Sequence, residues 1–246
     1  MKTMLFVSVL IFVISCSNPV DPYEDSKEYS SLNVGDMRQF CYPFSEFLTS
    51  KYLWIISGKT KRSDGLEVFV CDSYNSTNPK YKYTSYYFIK DGYYYSTELE
   101  KTNNISYNPY FEQKLAKVYP KEGESWVQYS ELAANDTVKY YLTTHFLKEF
   151  NTPARNFKDV CQLTSSMIIR NEKLEDSYIY YTKYFGYIGR SSINNPPSLL
   201  VVNYMKINDK EIGSYEEMKY NNNANPEFKP KMFVTPFGIK TIGEKL

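Results

Sequence analysis

The sequence predicts a mainly β protein, folded as a curved antiparallel sheet or half-barrel with one or two short helices. Runs rich in Val, Ile, Tyr, Phe and Thr recur along the chain and have the composition of strands. Turn residues such as Ser63-Asp64-Gly65 and Lys90-Asp91-Gly92 separate these runs. Because strand follows strand with few helices between them, the order favours an antiparallel meander over βαβ units.

Twelve segments carry the strand pattern, and two short segments suit helices. The predicted strands are 38–42, 52–59, 66–73, 82–90, 92–99, 125–129, 138–149, 158–164, 167–171, 178–184, 187–190 and 199–207. The predicted helices are 110–118 and 215–220. A chain of this length can fold as one large β domain or as two small ones.

The N-terminus has the composition of an export signal. Lys2 precedes an apolar run over residues 4–14, which ends in Ser15-Cys16. A secretory signal combines a positive start, an apolar core of about 7–15 residues and small residues at the cleavage site. A membrane-spanning helix, the alternative, needs about 20 apolar residues, and this run is shorter. Cys16 directly after Ser15 resembles the lipobox of bacterial lipoproteins, which implies removal of residues 1–15 and acylation of the Cys16 thiol.

The rest of the chain divides into three parts. Residues 16–31 are rich in Pro, Asp, Glu and Ser and are predicted to form a flexible tether. Residues 32–220 are the predicted β domain, and residues 221–246 are an Asn- and Pro-rich extension. Without residues 1–15 the chain carries 28 basic and 28 acidic side chains. This neutral balance, with no basic stripe, argues against nucleic acid as a partner.

A weak internal repeat divides the β domain into halves, 32–118 and 119–220. Gly35-Asp36 recurs as Gly123-Glu124, 88 positions later, and Val70-Cys71 recurs as Val160-Cys161. Shared hairpin chemistry can imitate such a pattern, so chance is the alternative to a duplication. A true duplication would give two similar meanders, either in one continuous curved sheet or in two facing sheets.

Three cysteines are left once Cys16 is acylated. Outside the cytoplasm two of them are expected to form a disulfide, which leaves one thiol over. Cys71 and Cys161 occupy corresponding places in the repeat, so a bond between them would join the two halves. The alternative pair is Cys41 with Cys71, which a hairpin would bring together. No CxxC spacing occurs, so neither a redox motif nor a zinc knuckle is predicted.

The sequence offers little catalytic chemistry. His145 is the only histidine, which rules out an HExxH zinc site or a two-histidine metal centre. No GxSxG elbow and no Ser-x-x-Lys motif accompanies it. The pairs Glu98 with Glu100 and Glu172 with Glu175 could act as acid and base in glycoside cleavage, but solvated strand edges are the simpler explanation. We therefore expect no catalytic residue, no metal and no cofactor.

Tyrosine is unusually abundant, with 26 residues in the chain. An AT-rich genome would favour Tyr, Asn, Lys and Ile together, which is the simpler explanation. The functional alternative is a sugar- or partner-binding surface, because an aromatic ring with a polar tip offers contact area at low entropic cost. The candidate residues for such a surface are Trp54, Tyr93, Tyr94, Tyr95 and Trp126.

Two segments of the second half form a pattern of their own. Residues 151–160 contain Thr152-Pro153-Ala154-Arg155-Asn156-Phe157, and residues 178–189 contain Tyr180-Tyr181-Thr182-Lys183 and Gly186-Tyr187-Ile188-Gly189. They resemble the TPxGxF turn and the YYxKGxGxI segment of bacterial envelope lipoproteins that have no assigned activity. Arg155 and Phe185 stand where that pattern has small residues. The match covers about the last third of the domain, and it implies a curved antiparallel sheet similar to the lipoprotein carriers LolA and LolB.

A sheet with few helices must bury its apolar face against something else. We therefore expect a non-catalytic lipoprotein, anchored by its N-terminal lipid, that binds an apolar ligand or a protein partner on its concave face. Ser17 and Asn18 follow the cysteine in place of an Asp of the inner-membrane retention type, which favours the outer membrane. The alternatives are a glycan-binding surface lipoprotein and, third, an envelope hydrolase. The expected partners are thus the membrane and a lipid, a glycan or an envelope protein.

Overall fold

The computed structural model describes ten stretches of the chain. They are residues 28–29, 32–43, 50–77, 82–101, 109–133, 136–169, 172–193, 198–218, 232–235 and 238–241. The predicted export signal, Cys16 and most of the tether lie outside these residues, as does most of the extension 221–246. No helix occurs in the described stretches, so none there has the length and apolarity needed to cross a membrane.

Fifteen strands are found in the described residues. They are β1 (Met37–Cys41), β2 (Tyr52–Lys61), β3 (Glu67–Asn75), β4 (Lys82–Lys90), β5 (Tyr93–Thr97), β6 (Gln113–Lys117), β7 (Ser125–Ala133), β8 (Asp136–Asn151), β9 (Asn156–Ile169), β10 (Glu172–Thr182), β11 (Gly186–Ser192), β12 (Leu199–Ile207), β13 (Lys210–Gly213), β14 (Met232–Thr235) and β15 (Gly238–Thr241). The first thirteen form one sheet, and β14 and β15 form a separate hairpin.

The main sheet consists of two antiparallel meanders side by side. Its order is β6-β5-β4-β3-β2-β1-β12-β11-β10-β9-β8-β7, with β13 added to the end of β12. Strands β1–β6 form the first meander and β7–β12 the second, and the antiparallel pairing of β1 with β12 joins them. The predicted antiparallel β class is confirmed.

Each predicted strand overlaps an observed one, and segments 158–164 and 167–171 both overlap the single strand β9. Both predicted helices are wrong in the residues described. Segment 110–118 contains β6, and residues 215–218 have no regular structure.

The sequence of β6 lacks the alternating pattern by which a strand is recognised. Its pairing with β5 shifts register between Tyr94 and Tyr95. The adjacent residues Leu115 and Ala116 are both buried, which breaks the alternation expected of a strand with one solvated face. The consecutive apolar residues Leu115 and Ala116 are therefore compatible with the helix that was predicted for segment 110–118.

The two meanders begin with the same backbone contacts. Two hydrogen bonds tie each entry turn to the second strand of its meander, and corresponding residues are 88 positions apart. The bonds are Gly35 N–H to Ile56 O (2.8 Å) and Ile56 N–H to Asp36 O (2.9 Å) in the first meander, and Gly123 N–H to Thr144 O (3.0 Å) and Thr144 N–H to Glu124 O (2.9 Å) in the second. Both glycines have positive φ, 96° and 74°, a conformation that glycine adopts without strain.

The correspondence between the meanders shifts by the third strand of each. Ile56 lies opposite Cys71 in the β2–β3 pair, and Thr144 lies opposite Leu163 in the β8–β9 pair. Because Ile56 corresponds to Thr144, the counterpart of Cys71 is Leu163. Cys71 and Cys161 therefore do not occupy corresponding places.

The ends of the sheet, β6 and β7, lie beside each other, so the sheet is rolled and has an inner and an outer face. Side chains bridge the two strands. The indole N–H of Trp126 donates to the Lys114 carbonyl at 3.3 Å, and the Trp126 ring lies 5.8 Å from that of Tyr93. Lys117 forms an ion pair with Glu124 at 3.0 Å.

Residues that lie opposite each other on paired strands share a face. This register places the main hydrophobic core on the inner face, where its largest members are fully or almost fully buried: Phe40, Leu142, Leu163, Ile179, Met205 and Ile207. A smaller cluster of Val68, Phe88 and Tyr95 lies on the outer face of β3–β5. Tyr110, from the connection between β5 and β6, lies 3.9 Å from the guanidinium of Arg62 beside this cluster.

We call the end of the sheet where the chain enters β1 the near end, and the opposite end the far end. Glu28 and Tyr29 cross the near end. The amide of Tyr29 donates to the Val118 carbonyl at 3.0 Å, and the amide of Tyr184 donates to the Glu28 carbonyl at 2.8 Å. The Tyr29 hydroxyl donates to the Asp159 carbonyl at 3.0 Å. One short segment therefore contacts both meanders.

Candidate binding site

Three aromatic rings pack together on the inner face, and we call them the aromatic floor. Phe40 lies in β1, Trp54 in β2 and Tyr187 in β11. The ring centroids are 4.5 Å apart for Phe40 and Trp54, 5.3 Å for Phe40 and Tyr187, and 5.1 Å for Trp54 and Tyr187. Aromatic pairs at such distances contribute roughly 0.5–1.5 kcal/mol beyond their burial. The floor therefore joins the two meanders inside the sheet.

Trp54 brings a polar group into this apolar cluster. Its side chain is almost fully buried, and its indole Nε1 has no hydrogen-bond partner. The indole N–H is a donor only, and leaving a buried donor unpaired costs about 1–3 kcal/mol. The aromatic floor thus includes one buried hydrogen-bond donor that has no acceptor.

Arg190 lies next to the floor. It is opposite Ile179 in β10 and Leu200 in β12, both of which are buried core residues, so its side chain shares the inner face. Its Nη1 atom is buried and has no hydrogen-bond partner. Among the side chains that the structure describes, no carboxylate forms an ion pair with it. A guanidinium in this position is a second unused donor, and it carries a positive charge.

Arg190 follows Tyr187 by three residues in β11. Burial raises the pKa of the Tyr187 phenol, and the positive charge of Arg190 opposes this effect. The phenol of Tyr42 also contributes, in the raising direction. Arg190, Tyr187 and Tyr42 are therefore neighbours within electrostatic range.

Tyr42 and Tyr52 continue the inner face towards the far end. Their rings contact edge to face at 6.2 Å. Burial raises the pKa of Tyr52, as do the charge of Tyr42 and a hydrogen bond with it, whereas a hydrogen bond with Asn75 lowers it. Hydrogen bonds with Tyr42 and Asn75 thus hold the Tyr52 side chain in place at the far end.

Side-chain size changes along the inner face at Arg190. Level with Arg190 lie Leu163 and Ile179, and on its near-end side lies Tyr181; all three are large and buried. On the far-end side, Ser177 lies opposite both Ser165 and Ser192. Three small side chains therefore lie in a row on the same face as the guanidinium. We call Trp54, Tyr187, Arg190 and the serines 165 and 177 the Arg190 site.

Arg38 shows how the near-end interior is filled. It lies opposite Trp54 and Met205, and its Nη2 donates to the Phe185 carbonyl at 2.7 Å. Burial lowers the pKa of its guanidinium, and nearby Asp36 opposes that effect. The side chain crosses from β1 to the turn before β11, so this part of the interior is occupied by the protein itself.

The five aromatic residues predicted to form a ligand surface do not form an exposed row. Four of them are buried, with exposed fractions of 4% for Trp54, 6% for Tyr94, 9% for Tyr95 and 7% for Trp126. Tyr93 is half-buried between Trp126 and the ammonium groups of two lysines, which lie 4.9 and 5.3 Å from its ring centroid. Of the five, only Trp54 belongs to the Arg190 site.

Cys41, Cys71 and Cys161 are free thiols in the structure, so neither predicted disulfide pair is bonded there. Cys71 and Cys161 are buried, and Cys41 is half-buried. Burial raises the pKa of both Cys71 and Cys161 to about 12. Thiols of this kind are poor nucleophiles at neutral pH.

His145 lies on the outer face and is exposed. Its Nδ1 is 3.0 Å from Glu122 Oε1, and the other carboxylate oxygen accepts from the Phe146 amide at 2.8 Å. Glu98 and Glu100 are exposed beyond the end of β5, and Glu172 is exposed in β10. Among the described residues no group of His, Cys, Asp and Glu is arranged to hold a metal ion.

Sequence reasoning missed Arg190, Tyr187 and the inner serines. The available indication was a lone arginine inside a strand otherwise made of Gly, Tyr, Ile and Ser. A charged residue in such a strand is ordinarily assigned to the solvated face. Only the register with β10 and β12 shows that Arg190 shares a face with core residues.

No family model matches the chain, and no curated protein sequence matches it. A predicted lipoprotein from Parabacteroides distasonis is similar in structure, with 13% identity and a TM-score of 0.44 over 74% of this chain and 100% of that one. A predicted exported protein with a YmcC-like fold from Bacteroides fragilis has 12% identity and a TM-score of 0.42 over 73% of this chain and 99% of that one. With both TM-scores below 0.5, neither structure assigns a family or a function to this chain.

Proposed function

We propose that the protein is a non-catalytic, lipid-anchored protein of the bacterial envelope that binds an apolar or amphipathic ligand inside its rolled sheet. The observation that carries the proposal is the change in side-chain size at Arg190. In β9, β10 and β11, large core residues lie level with Arg190 or on its near-end side, whereas Ser165, Ser177 and Ser192 lie on its far-end side.

The number of strands supports space for a ligand. A closed sheet of about eight strands is just wide enough for side chains to fill, and larger ones enclose ligand cavities. Here twelve strands lie on the path from β6 to β7. Inner-facing Arg190, Tyr42 and Tyr52 are only half-buried, so solvent reaches the inner face at the far end.

The lipid anchor limits how far the near end of the domain can lie from the membrane. Cys16 is the residue that the lipobox marks for acylation, and Glu28 is held at the near end. The intervening chain spans at most about 40 Å when extended. The near end therefore lies within about 40 Å of the membrane surface. Ser17 and Asn18 after the cysteine favour the outer membrane.

Ligand binding is tested with residues 17–246 and the neutral fluorophore N-phenyl-1-naphthylamine. We expect saturable fluorescence enhancement at about one site per chain. Ser165→Leu places a larger side chain on the far-end side of Arg190 and should weaken binding at least fivefold. The control Ser130→Leu makes the same change at an exposed residue of β7 and should leave binding unchanged. No saturable binding, or equal binding by a folded Ser165→Leu variant, contradicts the proposal.

The anchor is tested in cells with labelled palmitate. The wild-type chain should incorporate the label and sediment with outer membranes. Cys16→Ser should carry no label and should either keep residues 1–15 or appear in the soluble fraction. A mature chain that lacks label and starts at another residue would contradict lipid anchoring.

The absence of catalysis is tested at His145. The imidazole pairs with Glu122 in solvent, and the sequence supplies no nucleophile motif beside it. Wild type and His145→Ala should both lack turnover of ester, peptide and glycoside substrates. An activity that disappears in a normally folded His145→Ala variant would favour the hydrolase instead.

A further inference from the structure

We infer that the ligand carries an oxyanion, and that Arg190 and Trp54 are the donors that bind it. This inference rests on the proposed binding function and adds the chemical class of the ligand. It starts from two buried donors without acceptors, Arg190 Nη1 and Trp54 Nε1. Both residues adjoin Tyr187, the first within electrostatic range and the second by ring stacking at 5.1 Å.

Unpaired buried donors are unusual in folded proteins, in which about nine in ten buried polar groups have a partner. Arg190 is half-buried, but its Nη1 atom is buried, and a guanidinium forms stronger hydrogen bonds to a charged acceptor than a neutral donor does. The described residues supply no carboxylate for Arg190. A ligand that brings its own negative charge would satisfy this requirement.

The N–H groups of Arg190 and Trp54 also determine which kind of chemical group the ligand must carry. Arginine and the indole N–H only donate, so the ligand group must accept. Guanidinium binds the oxygens of carboxylate and phosphate through charge-assisted hydrogen bonds, which are about twice as strong as neutral ones. A cationic head group would be repelled.

The surroundings of the two donors fit the rest of an amphipathic molecule. The rings of Phe40, Trp54 and Tyr187 form the apolar inner face beside these donors, and the half-buried rings of Tyr42 and Tyr52 continue it towards the far end. An alkyl chain that lies along Tyr42 and Tyr52 can therefore bring its acidic group to Arg190. The inferred ligand class is an alkyl carboxylate or an alkyl phosphate.

The experiment compares three probes of equal chain length, dodecanoate, dodecyl phosphate and dodecanol, by displacement of N-phenyl-1-naphthylamine. We expect one or both acids to bind at least tenfold more tightly than the alcohol. Arg190→Gln should remove this preference, so that the acids bind no more than about twofold more tightly than dodecanol. Trp54→Phe keeps an aromatic ring but lacks the N–H, so it should weaken acid binding more than dodecanol binding. The stronger acid identifies carboxylate or phosphate as the source of the oxyanion.

Lys82→Gln is the matched control, because it removes one positive charge from an exposed residue of β4 without changing the inner face. It should keep the preference for acids. Equal affinity for dodecanol and both acids, or an acid preference that survives Arg190→Gln, overturns the inference while leaving ligand binding intact. Failure of all three probes and of the fluorophore overturns the proposed function itself.

Discussion

The indole ring of Trp54 stacks on the phenol ring of Tyr187, with centroids 5.1 Å apart and an angle of 15° between the ring planes. Trp54 belongs to the first meander and Tyr187 to the second, so the stack spans β1 and β12. Neither meander alone contains both sides of this contact. The inner face is therefore a joint product of both halves of the chain, and the Arg190 site depends on their pairing.

At Gly189, β11 and β12 approach each other closely beside the Arg190 site. A Cβ atom at Gly189 would lie 2.6 Å from the Leu200 carbonyl oxygen and 2.9 Å from a Val201 methyl group. Gly189→Ala should therefore lower the free energy of unfolding by about 1–3 kcal/mol, as overpacking does. Gly58→Ala is the control, because nothing lies within 4 Å of its Cβ position. Urea denaturation of both variants checks this, and an unchanged midpoint for Gly189→Ala would be the contrary result.

Substitutions of Tyr29 measure how much the segment that crosses the near end contributes to stability. Its side chain is buried, and its hydroxyl donates to the Asp159 carbonyl. Tyr29→Ala removes a large buried ring and should cost about 3–5 kcal/mol. Tyr29→Phe removes only the hydrogen bond and should cost about 1 kcal/mol. Urea unfolding of residues 17–246 measures both. Two variants as stable as wild type would show that the near end does not need this segment.

The contrast between Cys41 and the other two cysteines predicts their reactivity. Alkylation requires the thiolate, and burial raises the pKa of Cys71 and Cys161 to about 12. Iodoacetamide at pH 8 should modify Cys41 first in the folded protein and all three thiols in urea. Peptide mapping by mass spectrometry identifies the sites. A Cys71–Cys161 or Cys41–Cys71 bond in unreduced protein would contradict the free thiols and restore the disulfide expectation.

The sequence predicted the strands well because most of them show their composition locally. Segments 82–90 and 199–207 match β4 and β12 residue for residue. The misassigned β6 shows the limit of such prediction. Its bulged pairing with β5 depends on a partner about twenty positions away, which no local pattern reveals.

The predicted site residues were less accurate for a similar reason. Tyr93, Tyr94 and Tyr95 are consecutive, so a strand sends them alternately to its two faces. Tyr94 enters the inner core, and Tyr95 joins the outer cluster. Whether an outward tyrosine is exposed depends on the connection that covers it. Arg190 was missed because its face is fixed by long-range register with β10 and β12.

Stability should fall at alkaline pH because of the buried thiols and phenols. Burial raises the pKa of Cys71 and Cys161 from 9.0 to about 12 and raises the pKa of Tyr87 and Tyr181 well above 10.0. Between pH 9 and 12 the folded chain thus keeps protons that the unfolded chain releases. Stability is then fully present below about pH 9 and decreases as the pH rises, since the free energy of unfolding falls wherever the unfolded state binds fewer protons.

Each thiol with a raised pKa should remove about 1.4 kcal/mol per pH unit within this range. Urea midpoints at pH 8, 9, 10 and 10.5 measure the slope, and absorbance at 295 nm reports whether tyrosinate forms only on unfolding. The double variant Cys71→Ala, Cys161→Ala provides the control, because its slope between pH 9 and 10 should be shallower whatever its stability at pH 8. A wild-type midpoint that stays constant from pH 8 to 10.5 would show that these thiols ionise alike in both states, and hence that they are not buried as described.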